Sequence, residues 1–190
     1  MPVGRQIMVW FLGCVALAGL AAIAVDATHV LPVRESGDVA LTPGDWFEVA
    51  WPLPRDQFGA GKAFECAGVA SRTPVRVTFR AKIGYCNCAT GVSDDEELER
   101  IGDVALVGAN YAAGRPGREI SVGRMKGRGR PYLVRDGSGE APMLSIAFND
   151  RCDVIVATAT GADAVAREDE ILAFLNSPPV LSWAERALGL

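Results

Sequence analysis

Apolar and polar residues alternate most regularly between Val75 and Cys88. The odd positions from Val75 to Tyr85 are apolar, and the even positions are polar, basic or cysteine: Arg76, Thr78, Arg80, Lys82, Gly84, Cys86 and Cys88. A period of two is the pattern of a β-strand, whose successive side chains point to opposite faces. The sequence therefore predicts a strand over 75–88. Its even face is basic, and both cysteines lie at its far end on that face if the strand continues so far.

Further strands are predicted by short apolar or β-branched runs between turn signals. They cover 45–51, 103–108, 143–148 and 152–158. Another begins at 120–122, and the pattern fits both an end near 122 and a continuation to 135. Asp136-Gly137-Ser138-Gly139 has the composition of a hairpin turn, and Asn149-Asp150-Arg151 that of a tight turn. Most of these strands follow one another through turns, which favours antiparallel pairing.

Three helices are predicted. Ser93 and Glu96 form a capping-box pattern before a short helix that ends near Ile101, where Gly102 follows. The segment 168–176 is the second helix, and Ser177 is suited to cap a third, whose apolar stripe contains Val180, Trp183, Ala184, Ala187 and Leu188. Strands followed by helices predict an α+β fold, with a mainly antiparallel sheet covered on one face by two C-terminal helices and preceded by an N-terminal apolar helix.

The N-terminus has an uninterrupted apolar run over residues 7–25, with Arg5 before it and no further basic residue until Arg34. This charge asymmetry predicts a cytoplasmic N-terminus and an exported remainder. A cleaved signal peptide and a retained membrane anchor both fit the run; a lipidated Cys14 and a buried helix are weaker alternatives. We therefore divide the chain into a signal or anchor (1–27), a linker (28–44) and an exported α+β domain (45–190), located in the periplasm or anchored to the cytoplasmic membrane facing out.

Composition bounds the function. The chain has 190 residues, 49% of them hydrophobic, and a net charge of −4. These values suit one folded domain with a short appendage, and they are not those of a disordered chain. A net charge that is slightly negative gives no reason to expect nucleic acid as a partner.

Four cysteines belong to the predicted domain: Cys66, Cys86, Cys88 and Cys152. Export places them in an oxidising compartment, where thiols tend to form disulfides. Neighbouring same-face residues of a strand have parallel side chains and Cα atoms ~6.6 Å apart, so a bond between Cys86 and Cys88 is disfavoured. The sequence instead predicts that these two pair with Cys66 and Cys152, in an order left open.

Two other interpretations of the cysteines remain. Cys86, Cys88 and Cys152 could supply thiolates to a soft metal such as copper or zinc, or the thiols could be active in exchange. Against a metal site, the spacing is C-x-C, and the chain's only histidine, His29, lies in the linker. Against a nucleophilic enzyme, a Ser–His or Cys–His pair would have to recruit that same residue. We expect no cofactor, and an enzyme is the less favoured class.

A basic stretch lies between Arg115 and Arg135. If residues 122–130 are a strand, Arg124, Lys126, Arg128 and Arg130 share one face. Next to the basic strand at 75–88 they would make one cationic patch for an anionic partner, such as a lipid headgroup, an acidic glycan or an acidic protein. Because like charges repel, such a patch would need a compensating partner or the acidic helix at 94–100. The alternative is a solvated, glycine-rich loop.

The preferred hypothesis is an exported, disulfide-stabilised, non-catalytic binding or assembly module that recognises an anionic partner through its basic sheet face. The alternatives are a copper- or zinc-binding protein and a thiol-redox enzyme. If the apolar N-terminal segment is retained, it attaches the domain to a membrane.

Overall fold

The structure is a computed structural model that describes residues 46–66, 73–136 and 139–190. The predicted signal or anchor over 1–27 and the linker over 28–44 lie outside these ranges. In the described part of the chain, no helix combines the length and the apolar character that a bilayer crossing requires.

One antiparallel sheet of eight strands forms the centre of the fold. The strands are β1 (Trp46–Val49), β2 (Lys62–Cys66), β3 (Val75–Lys82), β4 (Asn110–Ala113), β5 (Arg118–Val122), β6 (Met125–Asp136), β7 (Gly139–Asp150) and β8 (Asp153–Thr160). Their order is β1-β2-β3-β8-β7-β6, and β4 and β5 pair with different halves of β6. The predicted class, α+β with an antiparallel sheet and C-terminal helices, is confirmed.

The two C-terminal helices, α3 (Glu168–Leu175) and α4 (Pro178–Leu188), contribute to the larger core. Phe174 of α3 stacks on Trp46 with ring centroids 4.3 Å apart, and Trp183 of α4 meets Phe79 of β3 edge-on at 4.9 Å. These contacts involve the odd positions of β3, as the alternation predicts. Each buried aromatic ring removes a large apolar area from water, so this core is the main source of stability.

The opposite face of the sheet is also covered, which the sequence did not predict. Here lie α1 (Asp95–Ile101) and α2 (Val104–Val107). Leu98 and Ile101 pack with Val154 and Val156 of β8. As a result, Thr78, Arg80 and Lys82 of β3 are buried instead of facing solvent.

Three predicted elements differ from the structure. The strand predicted over 75–88 ends at Lys82, because the chain turns at Gly84, whose φ is +65°. The strand predicted over 103–108 is helix α2, which ends with a hydrogen bond from the Gly108 N–H to the Val104 carbonyl. The strand beginning at 120–122 does not continue through to 135, because a turn at Gly123 and Arg124 separates β5 from β6.

Candidate functional site

A buried charge network lies on the face beneath α1 and α2. Arg80 Nε and Nη2 donate to the two carboxylate oxygens of Asp103 at 2.8 and 2.7 Å. The same guanidinium donates to both oxygens of Asp56, and Lys82 Nζ lies 2.8 Å from Asp103 Oδ1 and donates to the Ile101 carbonyl at 2.6 Å. Two cations and two carboxylates therefore neutralise one another, so the even face of β3 is not the solvent-exposed basic surface that was predicted.

The electrostatics of this network agree with its geometry. The hydrogen bond from Arg80 lowers the pKa of Asp56 to about 2, against the opposing effect of burial. Burial also disfavours the charge on Arg80, but the hydrogen bonds to Asp56 and Asp103 outweigh it and raise the arginine's pKa. All the charges of this cluster are committed to holding the 50–61 loop and the start of α2 on the sheet, which is a structural role.

The single disulfide of the described ranges joins Cys88 to Cys152, 64 residues apart in the chain. It ties the loop after β3 to the turn between β7 and β8. This bond is one of the pairings that the sequence allowed. It forms because the turn at Gly84 takes Cys88 out of the strand and towards Cys152.

Cys86 is held beside this bond as a buried thiol. Its backbone N–H donates to the Cys152 carbonyl at 3.1 Å, and its Sγ lies 3.2 Å from the Arg151 carbonyl oxygen. Burial, helped by the negative charges of Glu97 and Asp153, raises the pKa of the Cys86 thiol to about 11. At neutral pH the sulfur carries its proton, so it is a poor exchange nucleophile and a poor metal ligand.

The second predicted disulfide is not formed. With Cys88 and Cys152 bonded, it would have to join Cys66 to Cys86. Cys66 lies opposite Val75 at the first residue of β3, and Cys86 follows the last residue of that strand. Seven strand rises separate those ends by ~23 Å, far beyond the reach of a disulfide. Cys66 instead accepts a hydrogen bond from Arg167 Nη2 at 3.0 Å.

The three-thiolate metal site of Cys86, Cys88 and Cys152 is not formed either. Two of its sulfurs are bonded to each other, and the third is the protonated thiol of Cys86. Across the described ranges, no cluster of three or more histidine, cysteine, aspartate or glutamate side chains is arranged to hold a metal ion.

Acidic side chains of helix α1 neutralise part of the basic stretch between Arg115 and Arg135. Asp95 accepts a hydrogen bond from Arg128 Nε and lies 3.6 Å from Arg130 Nε, and Glu99 lies 3.8 Å from Arg130 Nη1. Burial opposes ionisation of Asp95, but the hydrogen bonds from Arg128 and from the Gly117 N–H lower its pKa. The compensating helix that a basic face would require is therefore present, and it neutralises Arg128 and Arg130. Nor are the two basic strands neighbours, since β8 and β7 separate β3 from β6.

Three cations remain together at one end of the sheet. Arg124 lies in the turn between β5 and β6, Lys126 follows it, and Arg151 lies in the turn between β7 and β8. Lys126 pairs in register with Asn149, so both turns project from the same end of the sheet. All three residues are exposed, and no ion pair joins them to any other described residue. We call these three residues the basic turn cluster.

Two neighbours of the basic turn cluster add to the character of this surface. Ile83 follows the last residue of β3 at this same end, and at 59% exposure it is the most exposed large apolar side chain of the described ranges. Asp150, at the end of β7, contributes a negative charge beside the cations. The end of the sheet thus combines basic side chains with one exposed apolar residue.

A second, separate feature is an apolar cleft of about 300 Å³ at the opposite end of β3. Its walls include Leu53, Val107, Val134 and Met143, and the guanidinium of Arg76 contributes the only charge to its lining. We call it the apolar cleft. Thr78, which also lines it, begins a row of polar side chains across the sheet.

This polar row is set by strand register. Thr78 pairs with Thr158, Thr158 with Ser145, and Ser145 with Arg130, so the four side chains cross β3, β8, β7 and β6 in one line. Thr158 Oγ1 and Ser145 Oγ are buried without a hydrogen-bond partner in the structure, at 1% and 0% residue exposure. Buried hydroxyl groups are nearly always hydrogen-bonded, so two neighbouring exceptions call for an explanation.

Sequence reasoning missed several of these residues. Asp103 has no local signal, because nothing in its surrounding sequence distinguishes it from the other carboxylates of the chain. Arg151 was assigned to a turn, and only the register of β6 with β7 brings it beside Arg124 and Lys126. The apolar cleft has no sequence signal, since its lining residues are far apart along the chain.

Comparison with known proteins adds little. No protein-family model matches the chain, and no curated protein matches it. One solved structure with a similar fold is a Pseudomonas aeruginosa protein of unknown function. It shares 10% sequence identity at a TM-score of 0.40, over 66% of this chain and 94% of that chain. A likeness of this size carries no argument about function.

Proposed function

We propose that this chain is an exported binding module that attaches to anionic phospholipid surfaces through the basic turn cluster. The observation that carries the proposal is the grouping of Arg124, Lys126 and Arg151 at one end of the sheet. Elsewhere on this sheet, arginines such as Arg80, Arg128 and Arg130 are neutralised by carboxylates. Cations left without an ion pair keep their full attraction for an external anion.

The disulfide supports both the compartment and the site. Disulfides persist outside the cytoplasm, which agrees with an export segment over 7–25. The Cys88–Cys152 bond fixes the turn that carries Arg151, and the carbonyl of Arg151 is further held by Asn149 Nδ2 at 2.9 Å. The turn is therefore rigid, and its cation is held in place before a partner arrives.

Lipid headgroups are favoured over an acidic glycan because of Ile83. An exposed apolar side chain beside cations suits an interface where the charges meet headgroups and the apolar residue enters the acyl boundary. A glycan has no counterpart for an isoleucine that is 59% exposed. Each Lys or Arg near an anionic surface contributes about 1 kcal/mol to binding at moderate salt, and Asp150 reduces the total.

The test is co-sedimentation of the oxidised protein with vesicles of phosphatidylcholine, with and without phosphatidylglycerol. Binding is expected only to the anionic vesicles, and it weakens with added salt. Arg124→Gln with Lys126→Gln removes two such contributions, about 2 kcal/mol, and lowers affinity roughly thirtyfold. The matched control, Arg135→Gln with Arg186→Gln, removes the same charge elsewhere and leaves binding within about twofold, since it changes only the net charge.

Ile83→Ser separates the candidate partners. If lipid is the partner, this variant weakens vesicle binding while the response to salt is retained. Binding to an acidic polysaccharide in place of vesicles, unaffected by Ile83→Ser, would assign the cluster to a glycan instead. Equal losses in the test and control pairs would remove the role of the cluster.

A further inference from the structure

We infer that the apolar cleft is a second ligand site, and that it takes a small amphiphile with an apolar chain and a carboxylate group. The inference goes beyond the proposed function, because the cleft lies at the opposite end of β3 from the basic turn cluster and shares no residue with it.

The size and lining of the cleft fit a small molecule. About 300 Å³ is at the lower end of the range for ligand pockets, which are typically mostly apolar with a few polar groups that orient the ligand. Val107 of α2, Val134 of β6 and Met143 of β7 supply apolar walls from three different elements. Met143 adds adaptability, because its unbranched thioether side chain adjusts to irregular shapes.

The polar groups of the cleft favour a carboxylate. Arg76 donates two hydrogen bonds, from Nε and Nη2, and both are accepted by Oε1 of Glu65. Its Nη1 has no hydrogen-bond partner among the described residues and can donate to a further anion. A guanidinium binds a carboxylate with charge-assisted hydrogen bonds. Glu65, the ion-pair partner of Arg76, is not part of the cleft lining, so it does not repel an anion inside the cleft.

Thr78 provides a second polar group in the cleft, beside Arg76. Thr78 lines the cleft, and its Oγ1 donates to the Thr158 carbonyl. Next to it in the row, Thr158 Oγ1 and Ser145 Oγ are buried hydroxyl groups without a partner. Neither of these two residues lines the cleft, so the Thr78 hydroxyl is the member of the row that can meet a ligand carboxylate there, in place of its bond to the Thr158 carbonyl.

The experiment titrates the full, oxidised chain with octanoate and follows the NMR signal of the Met143 methyl group. Three probes separate the contributions: octanoate has both parts, 1-octanol lacks the charge, and acetate lacks the chain. Octanoate is expected to shift the Met143 signal with saturation, 1-octanol to bind more weakly, and acetate to leave the signal unchanged. No saturable shift with octanoate overturns the inference.

Two substitutions locate the site. Ala141→Trp places a bulky ring in the cleft from an exposed strand position, and Ala113→Trp is the matched control on exposed β4, away from the cleft. Octanoate binding is expected to disappear in the first variant and to remain in the second, with both thermal unfolding midpoints close to the parent's. Equal binding by the two variants overturns the inference.

Arg76→Gln tests the carboxylate. It is expected to weaken octanoate about fivefold, since the guanidinium is partly exposed, and to leave 1-octanol unchanged. Equal effects on the two probes contradict the anionic part of the inference. Concentration-dependent dimerisation that Ala141→Trp abolishes would assign the cleft to a second copy of the chain instead. Vesicle binding through the basic turn cluster is measured on the same variants, so failure of one site is distinguishable from failure of the other.

Discussion

The carboxylate of Asp103 binds the guanidinium of Arg80 with two hydrogen bonds, at 2.7 and 2.8 Å, and both side chains are almost completely buried. The pair joins the centre of the sheet to the start of α2. Lys82 shares the same carboxylate, so one anion serves two buried cations. Loss of this anion leaves charge without compensation in the interior, which is far more costly than loss of an exposed pair.

Asp103→Asn is therefore expected to lower the free energy of unfolding by about 3–5 kcal/mol, measured by urea denaturation. The control is Glu140→Gln, which removes one carboxylate from the exposed ion pair with Arg135. That substitution is expected to cost less than about 1 kcal/mol. If the two variants lose similar amounts of unfolding free energy, the buried Arg80–Asp103–Lys82 network does not stabilise the fold more than an exposed ion pair does.

Acid should remove part of the network's contribution through Asp56. Its folded pKa, about 2, is lower than the value of the unfolded chain, so its contribution is complete above about pH 4 and is lost as the pH falls towards 2. Because the Asp56 side chain is 34% exposed, screening limits the effect to roughly 1 kcal/mol.

Urea unfolding of the parent and of Asp56→Asn, repeated across this pH range, measures that contribution. The difference between the two proteins is expected to shrink on acidification. Asp169→Asn serves as control, since the Asp169 side chain is 97% exposed. If the difference in unfolding free energy between the parent and Asp56→Asn stays constant down to about pH 2, the ion pair of Asp56 does not contribute to stability in this way.

The strand alternation of 75–82 and the amphipathic stripe of α4 were readable from sequence because local period and burial agree there. The same rule misassigned the even face of β3. Arg80 and Lys82 are polar, and alternation places polar residues in solvent, but here α1 and α2 bring a carboxylate and a backbone carbonyl to them. Charge pairing over a long sequence distance is not visible in a local pattern.

Residues 103–108 show a different limit. Three apolar residues of moderate to high β propensity precede Gly108, and their composition favours a strand. The structure forms a helical turn because Asp103 has to reach Arg80, and tertiary contacts outweigh weak local preference. The Cys88–Cys152 pairing was likewise one of several possibilities until the turn at Gly84 selected it.

Removal of the disulfide is expected to destabilise the fold without preventing it. Cys88→Ser with Cys152→Ser should lower the free energy of unfolding by about 2–4 kcal/mol, because the bond closes a long loop in the unfolded chain. Cys86→Ala is the matched control at the neighbouring buried cysteine, and should cost less than about 2 kcal/mol. Peptide mapping of the unreduced protein should yield one linked pair that contains Cys88 and Cys152, and a linked pair that contains Cys86 would contradict this arrangement.

Asp95 limits the cationic surface that the sheet presents. Its carboxylate binds Arg128 and lies beside Arg130, and both arginines line the same helix–strand junction. Asp95→Asn removes this charge and leaves the two guanidinium groups with less compensation. If anionic vesicles bind at the basic turn cluster, the released positive charge on the same strand should raise their affinity about threefold or more.

Glu96→Gln is the control for this prediction, because it removes one negative charge from the same turn of α1 at a residue without an ion pair to any described side chain. It changes the net charge equally, so a larger gain with Asp95→Asn reports the release of Arg128 and Arg130. The difference in vesicle affinity between Asp95→Asn and the parent protein should also persist in mild acid. The lowered pKa of Asp95 keeps its carboxylate ionised in the parent under those conditions. Equal gains in the two variants would reduce the effect of Asp95 to net charge alone, and the two arginines would then take no part in binding.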